Sequence, residues 1–140
     1  MANPVIRSTT LTQAIASTAS NAYSAAALRV QQSAVSSPGA IVGDFRLTGG
    51  TWGGTPAAGS SIQLVAVDRT FGGTIGPTPG ANFVPRLCGT FAPQELSSTW
   101  GTMGLNAVPL SPDADYYLYN NATGQTIACT LECSPWYYGT

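Results

Sequence analysis

Between residues 41 and 134 short apolar runs alternate with clusters of Gly, Pro, Ser, Thr and Asn. The clearest run is IQLVAVD at 62–68. It is apolar on both faces, the pattern of a strand in the middle of a sheet. Ile41 to Thr48 and residues 84–91 read as further strands. Residues 98–108 place Thr99, Gly101, Met103 and Leu105 on one side, and Tyr116 to Asn120 carries three tyrosines. Thr126 to Ser134 returns with Ile127, Cys129, Leu131 and Cys133 facing inward, until Pro135 ends it and Trp136, Tyr137 and Tyr138 form an aromatic tail. Residues 22–32 are alanine-rich, which favours helix. Yet Ala26, Leu28 and Val30 alternate against Ala27, Arg29 and Gln31, and that period of two predicts a strand.

The turn signals lie between these runs. SSPG at 36–39 is a turn. The glycines and Pro56 of GGTWGGTPAAGSS, 49–61, predict a loop that ends the preceding strand. Residues 72–82 form a second long loop, and NATGQ at 121–125 is a hairpin connection whose Gly124 can take positive φ. Asp113 and Asp115 read as a strand-opening turn, with a weak calcium corner as the alternative.

Seven or eight short strands with almost no helix predict an all-β fold, an antiparallel β-sandwich of jelly-roll-like or immunoglobulin-like type. The Cys…Trp…Cys spacing of a true immunoglobulin domain is missing. Residues 1–20 show neither period and read as an extended N-terminal arm with Val5, Ile6 and Leu11 as its apolar cluster, ahead of a sandwich domain over 21–140.

Composition narrows the chemistry. The chain has 5 basic residues, all arginine, 6 acidic ones and no histidine. An ordinary domain is about a quarter charged. Without histidine or lysine there is no base of the usual kind to activate a serine or threonine. No pair of carboxylates is singled out for glycosidase chemistry. The reading is therefore non-enzymatic, with no cofactor and no metal. Five scattered arginines make no basic patch, which excludes phosphate-driven nucleic-acid binding. No run approaches the ~20 apolar residues of a membrane span, and the first residues do not read as a secretory signal. Cys129 and Cys133 share a face roughly 13 Å apart at ~3.3 Å per residue, too far to bridge. Buried free thiols are one reading; a disulfide from Cys88 to either is the other. Asp68 and Arg69 point to opposite faces and should pair with other groups, either as a solvated strand end or across a subunit boundary.

An interface is the remaining candidate chemistry. Trp100 lies in a strand and reads as core, whereas Trp52 sits in a glycine-rich loop and reads as an exposed anchor. The expected contact residues are Val5, Ile6 and Leu11 of the arm, Trp52, Phe71 and Ile75 of the two loops, and Trp136, Tyr137 and Tyr138 of the tail. The aromatics also admit a carbohydrate-binding sandwich, and Asn121-Ala122-Thr123 matches a glycosylation acceptor that reads here as a hairpin turn.

The block GGTWGGTPAAGSSIQLVAVDRTFGGTIGPTP and the ending DADYYLYNNATGQTIACTLECSPW resemble small virion proteins of tailed bacteriophages. The nearest resemblance is to the jelly-roll cement (decoration) proteins of podovirus capsids, as in the tropism-switching phages of Bordetella, and it covers about residues 40–136. It implies a non-enzymatic protein on the outer capsid surface of the virion, made in the host bacterial cytoplasm. The implied partner is the major capsid protein, with self-association as a dimer on the lattice. A phage tail or fibre component is the alternative within the same class.

Overall fold

The computed structural model describes residues 4–32, 41–69, 79–80, 85–91, 99–100 and 102–139. The structure is all-β, with two antiparallel sheets packed face to face. The strands are β1 (Val5–Arg7), β2 (Leu11–Thr18), β3 (Ala22–Tyr23), β4 (Leu28–Gln31), β5 (Val42–Trp52), β6 (Ser61–Asp68), β7 (Arg86–Phe91), β8 (Thr99–Trp100), β9 (Met103–Pro109), β10 (Asp113–Asn121) and β11 (Ile127–Tyr138). Three positions are shared by two short strands. β1 and β2 both pair with β11, β3 and β4 with β10, and β8 and β9 with β5. The first sheet is therefore β1/β2–β11–β5–β8/β9, and the second is β3/β4–β10–β6–β7. Successive positions cross between the sheets at every step except β6 to β7, which is the jelly-roll connection pattern. Residues of the expected arm thus lie extended along β11.

The core forms between the inward faces. Phe45, Leu47, Ile62, Leu64, Phe91, Tyr116, Leu118, Ile127 and Leu131 are its fully buried large side chains. β6 and β10 are covered on their outer faces too, where Val65, Val67 and Tyr117 make a second, smaller cluster. The two-faced apolar pattern of IQLVAVD has this cause.

The expected loop at 49–61 begins later than its glycines suggest. β5 continues through Trp52, because the two residues Gly49 and Gly50 oppose the single residue Cys129 between the Thr51–Ala128 and Thr48–Thr130 pairs. Gly49 has φ of 58°. A residue with that backbone makes a bulge, which bends the strand without ending it. Trp52 then meets Ile127 across the ladder and enters the core, 4% exposed.

Pro135 does not end β11 either. It pairs with Gly43 of β5, and its carbonyl accepts from the Ser8 N–H at 2.8 Å. The N–H and C=O of one strand residue point to the same side, so the missing donor faces the gap between β1 and β2. No ladder bond to β5 is lost there. Asp113 and Asp115, expected in a turn, lie within β10. The three cysteines are free, and burial pushes the Cys129 and Cys133 thiols up to about 12. The hairpin expected at 121–125 is corrected: β10 and β11 lie in different sheets, so this turn crosses between them, with Gly124 at φ 70°.

Candidate interaction surface

Strand register brings the two ends of the chain together. Val5 lies opposite Tyr138, Ile6 opposite Tyr137 and Arg7 opposite Trp136. Trp136 in turn lies opposite Val42, the neighbour of Ile41. Among the described residues five large hydrophobic side chains are exposed, and four of them, Val5, Ile6, Ile41 and Tyr138, gather at this end of the first sheet. Tyr138 stands edge-on to Trp136 with ring centroids 5.3 Å apart. β1 is the sheet edge beyond β11. The result is an apolar rim: a short edge strand with both faces exposed, backed by aromatic rings.

The rim is held by one carboxylate. Asp44 of β5 accepts from the backbone N–H of Ala107 at 2.8 Å, from Trp136 Nε1 at 3.0 Å and from Arg7 Nη1 at 2.9 Å. These bonds reach β9, β11 and β1, so a single side chain ties the strands of the sheet. Ala107 offers its N–H because it sits in a bulge of β9 at φ 54°. Burial raises the Asp44 carboxyl, but these three donors outweigh it and hold the group below the ordinary carboxylate range.

The other four arginines are paired in the same manner. Arg29 bonds Asp113, Arg46 bonds Glu132, Arg69 bonds Asp115 and Arg86 bonds Asp68. All five arginines of the chain thus have a carboxylate partner on another strand or strand end. Asp68 and Arg69 do turn to separate partners, and both partners lie within this chain. The Arg69–Asp115 pair is the covered one, its side chains 9% and 10% exposed. The Arg29 guanidinium holds the Asp113 carboxyl below its usual range.

Beside the rim, the outer face of the first sheet carries a groove of about 390 Å³, with Arg7, Asp44, Arg46, Glu132, Ser134 and Asn106 among its lining. Two of the ion pairs therefore form its floor.

Of the expected contact residues, Val5, Ile6 and Tyr138 are exposed at the rim, and Trp136 and Tyr137 are half-buried within it. Two are corrected. Trp52 is core, for the bulge reason given above. Leu11 is half-buried and packs on the core, because its position opposite Cys133 turns it inward. Phe71 and Ile75 lie outside the described residues, as does the side chain of Trp100. Ile41 and Asp44 were missed. Their roles depend on register between distant strands, for which the local pattern carries no signal. Among the described residues no group of three or more His, Cys, Asp or Glu could hold a metal. Compared with known proteins, the chain matches no family model, no curated protein and no solved structure.

Proposed function

We propose that the protein is a non-enzymatic virion structural protein that binds the outer surface of a bacteriophage capsid and cements neighbouring major capsid subunits, with self-association as a dimer on the lattice. The observation that carries this reading is the gathering of Val5, Ile6, Ile41 and Tyr138 at one sheet end. Exposed apolar side chains gathered at one sheet end, on both faces of an edge strand, mark an interaction site. The arginines support it from the other side. Each has its own carboxylate, so docking at the rim brings little charge desolvation. Many copies on a lattice turn modest contacts into large avidity. The sequence resemblance to cement proteins supplies the partner.

The test is release of the protein from particles across a salt series at constant pH, with its location fixed by electron microscopy of the same particles. The expected result is outer-surface density at subunit junctions and weak dependence on salt, because few ionic contacts are available. Density at the tail, or steep release at moderate salt, overturns the reading.

A further inference from the structure

The groove on the outer face of the first sheet is built differently from the rim, and its chemistry points to a different occupant. Its centre is a tile of four side chains. Glu132 lies directly opposite Arg46, and Ser134 directly opposite Asp44. Arg7 reaches across to Asp44 and to Ser134 Oγ at 3.3 Å. Both carboxylates are largely covered, whereas Arg7 and Arg46 are 54% and 57% exposed. Each guanidinium carries five N–H donors. One ion pair uses only part of that set, so each exposed guanidinium keeps donors beyond its ion pair, and the Asn106 amide and the Ser134 hydroxyl line the same groove.

The lining is charge-balanced, two positive groups against two negative ones. An anion meets Asp44 and Glu132; a cation meets Arg7 and Arg46. A neutral ligand whose groups both donate and accept meets no repulsion. The open side is made by Gly104, directly opposite Arg46 on β9. A Cβ built there would approach only the Phe45 carbonyl oxygen, at 3.7 Å, so the groove is open because this residue has no side chain. The volume of about 390 Å³ lies within the range of small-molecule sites, about 300–1,000 Å³.

We infer that this groove is a binding site for a neutral sugar, one pyranose ring of a glycan, held by the Arg7 and Arg46 guanidinium donors, the Asn106 amide and the Asp44–Glu132 acceptors. The inference does not rest on the capsid reading. The rim and the groove face different occupants and can fail separately.

The full-length protein is titrated with a panel of neutral methyl pyranosides and N-acetylglucosamine, followed by saturation-transfer NMR, with glucuronate and glucosamine as charged controls. At least one neutral sugar should saturate with a Kd of about 1 mM, as suits a ligand of one ring in an open groove. Gly104→Leu should weaken that binding at least about tenfold, with the circular-dichroism spectrum and thermal midpoint unchanged. Asn106→Ala, an exposed position, should weaken it severalfold and serves if the leucine variant folds poorly. No saturation by any neutral member overturns the inference. So does equal binding by both variants, or stronger binding of a charged control.

Discussion

Trp52 and Tyr138 make a pair of substitutions with opposite expected outcomes. Trp52 is 4% exposed inside the core, opposite Ile127 at the far end of β11 from the rim. Trp52→Ala removes a large aromatic from a close-packed interior and leaves a cavity, which costs about 3–5 kcal/mol. That is a large share of the ~5–15 kcal/mol that holds a domain together. Tyr138 is 62% exposed and touches the fold through its ring contact with Trp136. Tyr138→Ala should cost at most about 1 kcal/mol of fold stability, from the lost aromatic pair. On particles the order reverses. Removing a central aromatic from an interface costs ~2 kcal/mol or more of binding, about thirtyfold in affinity. Urea titrations of the free variants give the first pair of numbers, and competition for undecorated particles gives the second. A Trp52→Ala protein as stable as the parent but unable to dock would refute the burial argument. Equal docking by Tyr138→Ala and the parent would remove the rim from the interface.

Three further outcomes are expected. Asp44→Asn should cost about 1–2 kcal/mol, because the amide oxygen still accepts from Ala107 and Trp136 but without the charge that strengthens those bonds, and its NH2 faces the exposed Arg7 guanidinium. Because the folded-state carboxyl sits below its ordinary value of 3.8, that contribution is fully present above pH 3.8 and lost as pH falls through the folded value; urea midpoints of parent and variant should converge in acid. Cys129 and Cys133, raised to about 12 by burial, should resist iodoacetamide at pH 8 until the protein unfolds, and rapid labelling of the native protein would contradict their burial. Ile6→Lys should abolish docking with little change in thermal midpoint, because Ile6 is 39% exposed on the edge strand; retained docking would exclude β1 from the contact.

Much of the architecture was legible because period-two patterning survives in strands that are buried on one face. β4 and the inward set of β11 are such cases, and the two-faced apolar run of β6 marks a strand covered on both sides. What the sequence concealed has one physical origin. A Gly-Gly pair and a proline are strand breakers in isolation, and at Gly49–Gly50 and Pro135 the neighbouring strands absorb them as a bulge and as a donor-free position facing a gap. Trp52 was misplaced for that reason alone. The rim was partly legible, because unpatterned apolar residues at both ends of the chain stand out. Their meeting was not, since Val5 and Tyr138 are joined only by the register of β1 on β11. The groove was hidden for the same cause, its Arg7, Arg46, Asn106 and Glu132 coming from four strand regions.

The absence of lysine links this architecture to its proposed use. Sandwich proteins that remain alone commonly protect their edges with charged residues, lysine above all, and with bulges or prolines that spoil pairing. This chain has no lysine, and each of its arginines is committed to a carboxylate within the fold. Arginine suits that work, since its planar fork grips a carboxylate while its stem lies along the sheet. The edge strand β1 is left with Val5 and Ile6 exposed and with one charged residue, Arg7, already tied to Asp44. An edge so unguarded invites association in solution. Such an edge is tolerable where another surface covers it, and the same feature that makes it a hazard for a free monomer makes it a ready contact for a subunit whose place is on an assembly.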